Sequence, residues 1–235
     1  MKCPNCNTEI EDRFCPKCGI ENTGKKTTLG VILKDFVGSV FSLEKSFFNQ
    51  FGILLKNPTR ITKSYWQGFR RYYLSPARWF VISSFTLAIS FTITKGEFFG
   101  ISFFSTGNLN ISSNLLVFLL FMPFIMISTW LTFIKKKNFS EIAVMTIYNS
   151  SLWVVIFSVI SIPTTFLMEN NHLPTFFQLL IPIMIFLIMY WNVRVFKLSK
   201  LKSFVHFLLN IGIFMGIIII TYFIFKLLGM IEIGE

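Results

Sequence analysis

The sequence predicts an all-α integral membrane protein: about five transmembrane helices, preceded by a small cysteine-rich head and amphipathic interfacial helices. Three observations predict it. The chain is 53% hydrophobic and 14% charged, whereas a soluble domain carries roughly a quarter charged residues. Apolar runs of about the length a bilayer core requires, almost without charge, account for the difference. All four cysteines lie within the first eighteen residues, and the apolar remainder has none.

The head, residues 1–22, carries Cys3-x-x-Cys6 and Cys15-x-x-Cys18. Zinc prefers four soft ligands in a tetrahedron, and each such turn supplies two thiolates. Asn7 and Gly19 follow the second cysteine of each pair, where a left-handed backbone is often needed, and both tolerate positive φ. Pro4 and Pro16 stiffen the turns, and Lys2, Arg13 and Lys17 would offset the surplus thiolate charge. A pair of disulfides is the alternative in an oxidising compartment, while a redox pair lacks its βαβ setting. The expected metal is a structural Zn²⁺, because four protein ligands leave no position open for chemistry.

Residues 23–77 are expected to hold a linker and amphipathic juxtamembrane helices. Residues 19–28 are small and polar, a short tether. From Leu29 to Leu55, apolar residues including Ile32, Leu33, Phe36, Val40, Phe47, Phe51 and Leu54 recur at three-and-four spacing. That predicts a helix over 29–56, ended by Asn57-Pro58 because the residue before proline is driven out of the α region. Cations then alternate with aromatic rings: Arg60, Lys63, Tyr65, Trp66, Arg70, Arg71, Tyr72, Arg78 and Trp79. Such rings straddle the headgroup layer while the cations meet anionic lipid, so these are candidate lipid-interface residues. Nucleic acid is not an expected partner, since the basic residues abut an apolar span rather than a solvated domain.

Residues 78–235 form the expected five-helix domain, with spans near 78–94, 114–134, 142–168, 175–195 and 203–228. Pro123, Pro163 and Pro182 fall within them, and carbonyls freed at a kink must find other donors. With the amino terminus inside, all but Lys95 and Lys226 of the 22 basic residues share its side, while Glu97, Glu169, Glu232 and Glu235 lie opposite. The positive-inside rule therefore places the amino terminus in the cytoplasm and the carboxyl terminus outside. The same arrangement keeps the thiols in a reducing compartment, which agrees with zinc.

No charge sits at mid-depth. Glu141 beside Lys135–Lys137 reads as a surface ion pair, His206 as a capping or packing histidine, and His172 as part of a solvated turn. Ser83, Ser84, Thr86, Ser90, Thr92, Asn149, Ser150, Ser151 and Asn210 enter the spans. Interhelical hydrogen bonding is their expected role, with a polar path as the alternative. Gly212-x-x-x-Gly216 is expected to let helices approach closely, within the chain or between two copies. Nucleophile–histidine pairs, paired carboxylates, phosphate loops and the HExxH pattern are absent from the sequence, so an enzyme is not expected.

Leu54-Leu55-x-x-Pro58, Tyr65-x-x-Gly68-x-Arg70, Pro76 and Arg78-x-Phe80, placed behind the cysteine head, resemble the bacterial family called domain of unknown function 3667, mostly of Bacteroidota. The resemblance reaches to about residue 85, and residues 95–113 would be a short form of a loop that is longer in many members. It implies a bacterial inner membrane, with the carboxyl terminus in the periplasm, and it carries over no activity and no catalytic residue. The expected function is a non-enzymatic docking, scaffold or membrane-organising role. Its expected partners are the bilayer, anionic headgroups, and a cytoplasmic protein or a second copy. The alternative is a small transporter or channel with a polar path through spans one, three and five.

Overall fold

In a computed structural model that describes residues 3, 8, 9, 11, 14–17, 47–69, 73–95, 98–99, 111–171 and 178–227, the chain is helical apart from turns and isolated bridges. Among the described residues seven helices follow one another: α1 Phe47–Lys56, α2 Pro58–Trp66, α3 Pro76–Ile93, α4 Ile111–Phe133, α5 Phe139–Asn171, α6 Leu180–Arg194 and α7 Lys200–Leu227. Prolines open α2 and α3, where the missing N–H costs no intrahelical bond. α1 is the described part of the helix expected over 29–56, and it stops at Lys56 as Asn57-Pro58 requires. α3, α4, α5 and α7 begin and end within three residues of the expected spans, whereas α6 is described from Leu180.

α3, α5 and α7 are long and apolar enough to cross a bilayer. α5 has 33 residues, so it is about 50 Å long and exceeds a bilayer core of about 30 Å. It is also the hub: 78% of its most apolar window is buried in the protein, against 11% for α7. α5 packs on α3, α4 and α6, and α7 lies outside against α4 and α6. The outer face of α7 presents Leu201, Phe204, Leu208, Ile219, Ile220 and Phe223 to its surroundings. An apolar exterior of this kind suits hydrocarbon rather than water.

α1 and α2 are built into the bundle. Leu54, Ile61, Tyr65, Tyr73, Leu74 and Trp79 share one buried cluster with Val144, Tyr148 and Leu152 of α5. The cluster runs across residue 77, so the juxtamembrane helices and the start of the expected transmembrane domain have a common core. The bend before α3 is held from two sides: Leu74 donates its N–H to Gln50 Oε1 at 2.7 Å, and its carbonyl accepts from the Tyr148 hydroxyl at 2.7 Å. α2 ends in a Schellman turn, with Phe69 N–H donating to Ser64 O at 3.0 Å and Gly68 N–H to Tyr65 O at 3.1 Å. Gly68 stands at φ 97°, a conformation that a side chain would strain, which accounts for glycine there.

Two sequence expectations are corrected. Tyr65 and Trp79, expected among headgroups, are 1% and 0% exposed, because α1 and α5 close over them: Tyr65 meets Tyr148 edge-on at 6.2 Å and Trp79 stacks on Phe51 at 6.2 Å. Gly212 and Gly216, expected to line a close helix contact within the chain, have no neighbour within 4 Å of where a Cβ would stand. The reason is angular. α7 packs through Asn210 and Phe214, with Phe207, Ile211 and Ile218 alongside, and Gly212 lies about 200° around the helix from Asn210.

Candidate functional site

The polar residues of the spans converge on one joint among four helices. Asn149 on α5 donates from Nδ2 to Asn192 Oδ1 on α6 at 2.8 Å. Asn192 Nδ2 donates to Thr129 Oγ1 on α4 at 3.2 Å and, more weakly, to Thr146 Oγ1 at 3.4 Å. Asn210 on α7 donates to the same Thr129 oxygen at 3.3 Å. All five side chains are 0% exposed. Asn149 and Asn210 each lie ten residues into their helix, about 15 Å along it. In hydrocarbon an unsatisfied amide costs several kcal/mol, so amides at that depth seek one another. Asn149 Oδ1 and Asn210 Oδ1 accept no hydrogen bond among the described residues. Every member is neutral, so the joint offers donors and acceptors but no acid or base.

Toward the opposite end from the α4–α5 turn, hydroxyls stitch α3 to α5. Ser83 Oγ donates to Ser151 Oγ at 3.2 Å, and the Ser90 and Ser161 hydroxyls pair at 2.6 Å. The expectation of interhelical bonding holds for these, while Thr86 and Thr92 donate to carbonyls one turn back in their own helix. Between α3, α4, α5 and α6 lies a cavity of about 60 Å³, lined by Ser83, Ser84, Ser150 and apolar side chains such as Leu87, Met122 and Ile188. The hydroxyls of Ser84 and Ser150 have no partner among the described residues. The wall of the cavity is almost wholly apolar, so the space does not suit water. Beyond it the bundle is filled by Phe91, Phe98, Phe99, Trp153, Phe157 and Phe214.

At the other end, the starts of α3, α5 and α7 meet the ends of α2, α4 and α6, and the cations gather there. Arg60, Lys63, Lys136, Arg194, Lys197 and Lys200 are exposed, and Arg78 is half-buried. Trp66 is a fixed rather than a mobile ring: its Nε1–H donates to Glu141 O at 2.9 Å. Glu141 makes the ion pair expected of it, Oε1 accepting from Lys137 Nζ at 2.6 Å. It also completes a capping box, with Glu141 N–H donating to Asn138 Oδ1 at 2.8 Å and Asn138 N–H to Glu141 Oε2 at 3.2 Å. His206 packs as expected, stacked on Phe133 at 5.2 Å. Arg70, Arg71 and Tyr72 lie outside the described residues.

Of the cysteines, Cys3 and Cys15 are described, 1% and 2% exposed, and Cys6 and Cys18 lie outside the described residues. Cys3 N–H donates to Thr8 O at 2.9 Å, and Glu9 and Phe14 stand at bridge positions between the pairs. Among the described residues no group of three metal-ligating side chains stands together.

No family model, curated protein or solved structure matches this chain. Sequence reasoning found Asn149 and Asn210 but missed Asn192, Thr129 and Thr146, which make them a joint. Asn192 falls near the end of the span expected over 175–195 and nothing in its spacing singles it out; only the neighbouring helices reveal it as the centre of a joint. Gln50 and Tyr148 were equally missed, since a lone glutamine on an amphipathic helix reads as its wet face.

Proposed function

We propose that this chain is a non-enzymatic, multi-pass protein of a bacterial inner membrane whose cytoplasmic end is a rigid docking platform. Five helices, α3 to α7, would span the bilayer, with the amino terminus and a zinc ribbon of Cys3, Cys6, Cys15 and Cys18 inside and the carboxyl terminus in the periplasm. The resemblance to domain of unknown function 3667 agrees with this architecture. One observation carries the reading: α1 and α2 are pinned to the bundle through Gln50, Leu74, Tyr148 and Trp66, while the cations of the same end stay exposed. A mere anchor needs no such pins. A rigid, cationic surface suits an acidic protein face and anionic headgroups.

The transporter reading draws less support. Asn149 and Asn210, its expected path residues, are hydrogen-bonded to neighbouring helices and 0% exposed, and phenylalanine fills the bundle beyond the small cavity.

The test uses the full chain in native membranes. Arg60→Glu, Arg70→Glu and Arg71→Glu together should strip co-purifying proteins and anionic lipid while the thermal midpoint in detergent stays unchanged. Identical co-purification by wild type and the triple variant sinks the platform. Impermeant labelling of a tag at Met1 in intact cells should fail and should succeed after permeabilisation. Labelling in intact cells reverses the sidedness.

A further inference from the structure

The cationic end contains a groove of about 430 Å³ that the packing leaves open, where the end of α2 faces the α4–α5 and α6–α7 turns. Lys63, Trp66 and Gln67 contribute from the end of α2, Lys136 and Lys137 from the α4–α5 turn, and Phe196 from the α6–α7 turn. Its charges are unequally committed. Lys137 is neutralised by Glu141 at 2.6 Å and lies over the Trp66 ring at 4.4 Å. Lys136 lies over the rings of Phe133 and Phe196 at 5.6 and 5.9 Å, and neither it nor Lys63 has a carboxylate partner among the described residues. Three ammonium groups therefore face one carboxylate.

The frame around these cations is stiff. Trp66 is held by Glu141 O at 2.9 Å and meets Phe196 at 6.3 Å, and Phe196 stacks on Phe133 at 3.9 Å. Lysine ammonium is a compact, strongly hydrated donor that suits a phosphate as a point charge. The Gln67 side-chain amide adds a neutral donor, and the indole and phenyl rings provide apolar area beside the charge. A ligand with an anionic head and an adjoining apolar part matches this division.

We propose that this groove binds one phosphate-bearing anion, with Lys63 and Lys136 as its cationic partners and Trp66 and Phe196 packing the adjoining apolar portion. Phosphate could come from a phospholipid headgroup or from solution. The lipid source rests on the platform reading above; the anion chemistry does not.

The experiment takes the full-length protein in nonionic detergent and counts bound lipid by native mass spectrometry. Phosphatidylglycerol is titrated against phosphatidylcholine, with inorganic phosphate as competitor in a second arm. Lys63→Gln and Lys136→Gln should each weaken the first phosphatidylglycerol by about fivefold, the scale for one cation at an anionic surface. Lys200→Gln with Lys202→Gln, which together lose as much charge as the Lys63/Lys136 double variant but at the start of α7, should change it less than about twofold. Competition by millimolar phosphate assigns the site to a free anion, and its failure assigns the site to lipid; both outcomes keep the groove. Unchanged affinity in the Lys63/Lys136 double variant, with an unshifted thermal midpoint, overturns the proposal. An equal loss in the Lys200/Lys202 variant also overturns it, because diffuse surface charge would then suffice. The platform has its own readout in Arg60, Arg70 and Arg71, so either reading can fail alone.

Discussion

Asn149 and Asn192, 43 residues apart, meet at 2.8 Å in the interior of the bundle, and Thr129 and Asn210 complete the joint from two further helices. Interhelical hydrogen bonds in membrane proteins contribute about 0.6 kcal/mol each on average, so a shared joint matters through its connectivity. Asn192 is its centre, accepting once and donating twice. Asn192→Ala should therefore cost about 2 kcal/mol, and Asn149→Ala about 1 kcal/mol. Thermal unfolding in detergent with a double-mutant cycle checks this. The paired substitution should cost less than the sum, and strict additivity would show that the two amides act independently.

Gln50 and Tyr148 hold the two polar groups of one residue, Leu74. Tyr148→Phe should cost about 1 kcal/mol, while Gln50→Ala, which strands a buried N–H, should cost up to about 3 kcal/mol. Amide exchange separates them. Protection at Leu74 should fall in the Gln50 variant and persist in the Tyr148 variant. Equal protection in both would remove Gln50 as a pin.

Trp79 decides between an anchor ring and a core ring. Buried against Phe51 and fully enclosed, it should cost about 3–5 kcal/mol on replacement by alanine. A ring lying among headgroups would lose far less. The thermal midpoint of Trp79→Ala, compared with that of Leu201→Ala at the exposed start of α7, makes the measurement.

Gly212 and Gly216 have open space where a side chain would grow. Alanine is the better helix former by about 1 kcal/mol, so Gly212→Ala and Gly216→Ala should leave the thermal midpoint unchanged or raise it. A drop of several degrees would mean that something absent from the monomer, a second copy foremost, packs on that strip.

The proposed zinc ribbon makes a compositional prediction. The full chain should carry about one zinc, and Cys6→Ser or Cys18→Ser should abolish it by elemental analysis while the bundle retains its thermal midpoint. Undiminished zinc in both variants would remove those two thiols from the site.

What the sequence determined by itself was local. Three-and-four spacing, proline placement and charge distribution reported the helices nearly to their ends, because those signals act within a turn or two of chain. Glu141 was legible as an ion-pair partner for the same reason, its lysine being four residues away. Tertiary structure decided which faces look inward. Tyr65 and Trp79 carry the same rings whether they meet lipid or protein, and only the arrival of α1 and α5 closes them off. Asn192 becomes interior because Thr129 lies 63 residues earlier in the chain yet next to it in space. Burial depends on neighbours that the chain brings from far away, and a residue's own type and spacing carry no record of them.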